Sequence, residues 1–308
     1  MSEPVAVAVY VCTYQRNDAL RSMLRALGAA ADHVAMRAAV AAVVVDDNPD
    51  GRARVVVDEF ADRFALGIHY RHSGKQNISI ARNLGLEAAA ALGDWVAMSD
   101  DDCEPSPQWL SAFLDAQART GADALTGPLL MRFPEGSPSW LADEPFAQGE
   151  NELHDEDQAM AVAQTHNSII RSAWLTAHPD IRFEPALGRL GGEDMVFYRR
   201  NVAAGMRITY ARDAVVHVVV GPERANLRYQ LRQQCWLGNS EYVTNTQSGA
   251  ATRGRMVLRG ARRLVQALPQ LFARLARREP PQWRWTLGVV LRAVGTMIGG
   301  LGVRVDHH

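Results

Sequence analysis

The stretch DWVAMSDDDCEP, residues 94–105, sets an apolar run directly before three consecutive carboxylates. Residues 94–99 have the composition of a strand buried on both faces of a sheet, and the chain turns polar at Asp100. Three like charges at one point repel each other, and removing them from water costs more still. A positive partner is therefore expected at the end of this strand.

Working outward, the same kind of strand recurs. VAVAVYVCTY (5–14) is a continuous β-prone apolar run, and VAAVVVDDNPDG (40–51) is another that ends in two Asp and a turn. Between them, Leu20, Met23, Leu24 and Leu27 recur at helical spacing. A helix around 53–65, a short strand LGIHYRH (66–72) and a strong helix ISIARNLGLEAAAAL (78–92) complete the approach to residue 94. Strands alternating with helices are βαβ units, so the fold class is α/β, with a mostly parallel sheet covered by helices on both faces. Ligands of such sheets sit at the carboxyl ends of the strands. Asp46, Asp47 and Asp100 to Asp102 all fall at such ends.

Downstream, PQWLSAFLDAQARTGA (107–122) reads as a helix and TGPLLMRF (126–133) as a strand. Residues 134–165 are rich in Pro, Gly and acid, and read as a long loop, of the kind that serves as a lid or binding loop or is disordered. HNSIIRSAWL (166–175) follows, a helix starts at GGED (191–194), and MRITYARDAVVHVVV (206–220) has strand character. No internal repeat is present.

The 308 residues suffice for one large α/β domain, or one domain with an appendage. The net charge of -1 hides an asymmetry. Residues 253–308 carry eleven Arg against Glu279 and Asp306, a net +9, which leaves −10 on residues 1–252. Lys75 is the sole lysine. Cys12, Cys103 and Cys235 are scattered and odd in number, so neither a disulfide framework nor a zinc spacing emerges, and a reducing cytosol is expected. The chain enters its first strand without a signal-type core, and residues 306–308 read as a tag remnant, outside the fold reasoning.

Two readings stand beside each chemical motif. The three carboxylates suit a hard divalent cation, with Asp100 and Asp102 on one face of extended backbone, or they form a solvated turn before the helix near Ser106. In GGED, two glycines precede either a catalytic carboxylate pair or the charged first turn of a capped helix. His217, inside VVHVVV, is a sheet histidine or a metal ligand.

Taken in order, TYQR (13–16), VVDDNPDG (44–51), GKQNISIARNLG (74–85), MSDDDCEP (98–105), GGEDMVFYRR (191–200) and a late His217 before PER (222–224) form a set. Over roughly residues 5–240 the chain resembles the inverting family 2 glycosyltransferases of GT-A fold. The resemblance implies a nucleotide sugar, UDP-sugar favoured, with Mn²⁺ or Mg²⁺ bridging its diphosphate to the protein. It further implies that Thr13, Tyr14 and Arg16 line the nucleobase pocket, and that Asp46 and Asp47 contact base and ribose. Lys75, Arg82 and Asn83 would close that site, and Asp100 and Asp101 would flank ribose and sugar. Asp102 and His217 would bind the metal, and Arg224 would reach the diphosphate. Asp194 would be the general base and Glu193 would hold the acceptor. Ser99 departs from the pattern, where the family more often has an apolar residue, and 134–165 follows no pattern of the family.

The tail is cationic and amphipathic. Leu258, Leu264, Val265, Leu268, Leu271, Phe272 and Leu275 interleave with Arg259, Arg262, Arg263, Arg274, Arg277 and Arg278. After Pro280-Pro281 and Trp283-Arg284-Trp285, the run TLGVVLRAVGTMIGGLGV (286–303) is too interrupted to span a bilayer. The expected organisation is a catalytic domain over 1–245 and a basic helical region over 246–305 that lies on an anionic membrane surface, anchored by Trp. Helices packed on the catalytic domain, or a homodimer contact, are the other account. No base-reading motif accompanies the arginines, so nucleic acid is not an expected partner. The functional expectation is an enzyme at the cytoplasmic face of the membrane that moves sugar to a hydroxyl of a lipid-linked or polysaccharide acceptor. A non-catalytic scaffold that binds nucleotide sugar or glycan is the alternative. A nucleotidyltransferase would need a Gly-rich basic loop after the first strand, and VCTYQRND has none.

Overall fold

A computed structural model of the chain describes residues 4–143, 153–247, 249–277 and 280–305. Its elements are β1 (Val5–Thr13), α1 (Asn17–Val34), β2 (Ala38–Asp46), α2 (Arg54–Asp58), β3 (Ile68–His72), α3 (Ile78–Ala90) and β4 (Trp95–Asp100). There follow β5 (Cys103–Pro105), α4 (Trp109–Thr120), β6 (Ala124–Thr126), β7 (Leu129–Arg132), α5 (Trp140–Asp143), β8 (Ala159–Met160) and β9 (Asn167–Arg171). The remainder is α6 (Ser172–Ala177), α7 (Glu193–Ala203), β10 (Ile208–Tyr210), β11 (Val216–Val219), α8 (Leu227–Gln247), α9 (Arg253–Arg277) and α10 (Pro280–Gly300).

The chain forms two compact units. The first holds residues 1–130, 151–188 and 197–218, and the second holds 131–150, 189–196 and 219–308. Helix α8 falls in the second unit together with the tail helices.

In the first unit an eight-stranded sheet runs β3-β2-β1-β4-β9-β6-β10-β8. The pairs among β3, β2, β1 and β4 are parallel, as the alternation of strands and helices predicts. The continuous apolar runs are explained by burial on both faces. Val7, Val9 and Val11 enter one core with Leu20, Leu24 and Phe113, and Ala8, Tyr10 and Cys12 enter the other with Ala81, Leu86 and Phe197. Strand β9, drawn from HNSII, enters antiparallel between β4 and β6. The segment 206–220, expected to have strand character, forms two strands in two sheets: β10 pairs with β6, and β11 pairs with β5. Of the expected loop 134–165, α5 and β8 are regular, and residues 144–152 lie outside those described. The helix expected around 53–65 is α-helical only over Arg54–Asp58.

In the second unit α10 packs against both α8 and α9. Small residues permit this approach: a Cβ on Gly238 would stand 1.9 Å from the Arg292 carbonyl, and one on Gly295 would stand 2.0 Å from the Cys235 carbonyl. Trp283, expected at a membrane interface, instead packs with Ala267, Leu271 and Val290 between α9 and α10. No residue from Trp283 to Gly300 is exposed. Among the described residues, no helix is long and apolar enough to cross a membrane.

Candidate functional site

β1 has β2 on one side and β4 on the other, with β3 beyond β2, so the order of strands reverses at the carboxyl ends of β1 and β4. A crevice at such a reversal is where open α/β sheets take their ligands. Register places Thr13 beside Asp46 and Cys12 beside Asp100, which brings the acidic ends of β2 and β4 to one corner on either side of β1.

The two carboxylates after β2 shape that corner. Asp46 is wholly buried. Its Oδ1 accepts from the Asn48 N–H at 2.9 Å and from Asn48 Nδ2 at 2.6 Å, and its Oδ2 from the Ala53 N–H at 2.7 Å and the Tyr70 hydroxyl at 3.1 Å. Asp47 reaches across to the loop before α3. It accepts from the Ser73 hydroxyl (2.7 Å) and from the N–H groups of Lys75 (3.0 Å), Gln76 (3.1 Å) and Asn77 (2.7 Å). Asn77 then caps α3 by accepting from the Ile80 N–H. These two side chains, expected from the resemblance to meet a base and ribose, hold backbone in place. Gln15 and Gln76 occupy the left-handed region at φ 57 and 51, one in each loop that borders the corner. Such strained non-glycine positions concentrate at functional sites.

Asp100, Asp101 and Asp102 diverge. Residues 101 and 102 form a turn rather than extended backbone, and the turn sends Asp101 inward. Asp101 is buried, accepts from the Thr13 hydroxyl at 2.8 Å and faces Arg16 Nη1 at 3.1 Å. Burial pushes its carboxyl up to about 7 against the pull of Arg16, and the neighbouring charges of Asp102 and Asp100 add to the rise. The same Arg16 Nη1 donates to Asp102 at 2.9 Å. Arg82, buried below, donates to Asp100 at 3.3 Å and stacks its guanidinium over Phe183. Arg16 and Arg82 are thus positive partners of the three carboxylates.

Asp100 and Asp102 still come together despite the turn. Their ligand atoms and that of Cys103 lie within 4.8 Å of one another. Paired carboxylate oxygens of this kind fit a hard divalent cation. The Cys103 thiol, pushed well above its ordinary range by burial, is a neutral neighbour to them. His217 stands on β11 opposite Glu104 and is not part of this group.

The remaining expected residues lie on several elements. Tyr14 is partly exposed, and its hydroxyl accepts from Gln15 Nε2. Lys75 is exposed on the loop that Asp47 holds. Asn83 exchanges two hydrogen bonds with the backbone of Phe183, at 2.8 and 2.9 Å, and so ties α3 to that segment. Glu193, Asp194 and Arg224 belong to the second unit. There the GGED turn is seated on α8: a Cβ on Gly192 would stand 2.0 Å from Thr244 Oγ1, and one on Gly191 would stand 2.6 Å from Trp236. Both glycines have φ near +80, which only glycine adopts cheaply. The turn delivers Glu193 and Asp194 to the first turn of α7, where a helix N-terminus favours negative charge.

The sequence reading missed Asn48, Ser73 and Tyr70, which complete the hydrogen-bonding of Asp46 and Asp47. It also missed Asn167, whose buried amide accepts from Trp109 Nε1 and donates to the Pro128 and Ala214 carbonyls. The signal available for Asn48 was its place beside two Asp in a turn; nothing local pointed to the others.

Comparison with known proteins agrees with this layout. The family model described as glycosyl transferase family 2 matches residues 8–178. The succinoglycan biosynthesis protein ExoM of Rhizobium meliloti (strain 1021) is 30% identical over 316 residues, covering 98% of this chain and 95% of that protein. The glycosyltransferase AglE of Haloferax volcanii is 24% identical over 56% of this chain and 54% of its own length. Among solved structures, S. aureus TarS 1–349 in complex with UDP-GlcNAc superposes with a TM-score of 0.54 at 15% identity, covering 78% of this chain and 71% of that one. GalNAc-T7 with UDP, GalNAc and Mn²⁺ gives 0.53 at 12% identity, covering 82% of this chain and 52% of that one. The structural likenesses speak for the fold.

Proposed function

The chain belongs to glycosyl transferase family 2 and is a glycosyltransferase, and on that premise we propose that it transfers sugar, with inversion, from a UDP-sugar to a hydroxyl of a membrane-associated acceptor. The observation that carries the reading is the acidic corner at the strand-order reversal, where Asp100 and Asp102 converge beside Arg16 and Arg82. A relative named for succinoglycan biosynthesis and a fold neighbour in complex with UDP-GlcNAc support the substrate class.

Thr13, Tyr14, Arg16 and the loops held by Asp46 and Asp47 form the nucleoside side of the site, with Lys75, Arg82 and Asn83 bordering it. Asp102, with Asp100 beside it and His217 on the next strand, would hold Mn²⁺ or Mg²⁺. Bound there, the cation supplies Lewis-acid neutralisation of charge on the nucleoside-diphosphate leaving group. Arg224 adds positive charge toward the same diphosphate. Asp194 accepts the proton of the acceptor hydroxyl as that oxygen attacks the anomeric carbon from the face opposite the leaving group, and Glu193 orients the acceptor. One displacement of this kind inverts configuration and needs no nucleophile from the enzyme. The enzyme works at the cytoplasmic face of the membrane, where a lipid-linked or polysaccharide acceptor is presented.

Two substitutions separate binding from chemistry. Asp102→Ala abolishes Mn²⁺-dependent donor binding in calorimetry while the fold persists; unchanged donor affinity would remove Asp102 from the metal site. Asp194→Asn keeps donor binding and lowers transfer on the order of 10²–10⁴-fold, the usual worth of a general base. Wild-type turnover in that variant would move the base elsewhere, to Glu193 first.

A further inference from the structure

Helix α9 leaves an apolar line uncovered. Leu258, Val265 and Phe272 are 69%, 71% and 66% exposed, and they recur every seven residues, so they lie along one side of the helix. Leu275, also exposed, lies about 60° round the helix from Phe272, beside the far end of the line. The opposite side, with Met256, Gly260, Ala267 and Leu271, is buried, so the exposed line is not the face that packs on α10.

Charge states what this face fits. Between Arg253 and Arg277 the helix carries seven Arg and no acidic residue. Arg259 and Arg263 turn inward to Glu241, which lies on α8. Arg255 and Arg262 remain exposed, and both project within about 60° of the Leu258 direction at 100° per residue. An apolar line bordered by arginines complements an anionic lipid surface, where the hydrocarbon boundary takes the apolar side chains and the headgroups take the guanidinium groups. A second copy of the chain fits poorly, because pairing these faces would set arginine against arginine with no carboxylate on either helix. Pro269 falls within the same outward line, and it interrupts a straight seam.

We propose that the outward face of α9 docks on an anionic bilayer, with Leu258, Val265 and Phe272 entering the headgroup boundary and Arg255 and Arg262 meeting the headgroups. Helix α10, enclosed by α8 and α9, has no part in the contact. The inference deepens the reading of a membrane-borne acceptor and rests on it only for its purpose.

The test is co-sedimentation of the full chain with phosphatidylcholine vesicles, with and without an equal share of phosphatidylglycerol. The full chain is expected to bind the anionic vesicles at low salt and to bind neutral ones far less. Arg255→Gln with Arg262→Gln lowers the partition coefficient roughly 10- to 30-fold, since each basic residue near such a surface contributes about one factor of five. Leu258→Ser with Val265→Ser and Phe272→Ser removes binding at every salt concentration. Both variants keep the circular dichroism melt and the donor hydrolysis of the unmodified chain, because these side chains are exposed on α9 and none has a part in the proposed donor binding or transfer. Absence of binding to anionic vesicles at low salt, or unchanged binding by the serine variant, overturns the proposal. Loss of a dimer in the serine variant by sedimentation velocity, without lipid binding in the parent, assigns the face to a second copy and overturns it too. Lipid binding without donor hydrolysis would leave this surface standing and count against the transferase reading alone.

Discussion

Replacing Asp47 by Asn tests how the nucleoside side of the site is built. The carboxylate accepts three hydrogen bonds at Oδ1, from Ser73, Lys75 and Gln76, and one at Oδ2, from the Asn77 N–H at 2.7 Å. An amide placed with its oxygen toward the first three points its NH₂ at the Asn77 N–H, donor against donor. Flipping the amide spares that contact and spoils three. The better choice loses one charge-assisted bond, worth about 1.5–3 kcal/mol, and leaves a donor unmet in a half-buried loop, about 1 kcal/mol more. Asp47→Asn is therefore expected to lower unfolding stability by about 2.5–4 kcal/mol in guanidinium titration. Amide exchange at Lys75, Gln76 and Asn77 should quicken more than in the core strands, because the loop loses its tether. Donor affinity should fall with it. A variant within about 0.5 kcal/mol of wild type, the range of an ordinary surface change, with unaltered exchange at these three amides would refute the reasoning.

Two further outcomes follow from the carboxylate corner. Arg16→Gln leaves Asp101 and Asp102 without their shared guanidinium; because that side chain is about a third exposed, the loss in chelator should be about 1–2 kcal/mol, between the exposed and buried limits. Thermal melts should show Mn²⁺ raising the midpoint of this variant more than that of wild type, and equal increments would contradict the role given to Arg16. Asp101 gives a pH signature: its carboxyl is raised in the fold to about 7, so its ionisation costs stability. The contribution is whole below about pH 4 and is lost as pH rises toward 7, because there the folded state binds more protons than the unfolded. In chelator, Asp101→Asn should gain stability relative to wild type between pH 4 and 7.5 in melts across that range, and a parallel pair of curves would contradict the burial argument.

Much of the sheet was legible because burial on both faces leaves a simple trace. Runs such as VAVAVYVCT and AAVAAVVVD admit few readings other than central parallel strands, and their acidic ends mark where ligands meet them. Strand direction leaves no such trace, and β9 enters antiparallel although its sequence reads like its neighbours. The strand character of 206–220 conceals the turn between β10 and β11, because both strands are short. At the site, residue types pointed to the acidic corner, yet the work of Asp46 and Asp47 depends on N–H groups as far away as Asn77. Local spacing does not encode such partners. The tail shows the same limit from another side. Gly295 and Gly299, four residues apart, are the trace of a helix that packs closely, and their pattern weighed less than the surrounding arginines and tryptophans.

The central claim is metal-dependent, inverting transfer at the acidic corner. Its most direct measurement is incubation of the full chain with a UDP-sugar and Mn²⁺, following UDP release and reading the anomeric configuration of the transferred sugar by NMR. The account predicts UDP release that chelator abolishes and Mn²⁺ restores, with a product whose anomeric configuration is opposite to the donor's. Release unaffected by chelator, a product with the donor's configuration, or no consumption of UDP-, GDP- or dTDP-sugars would contradict it.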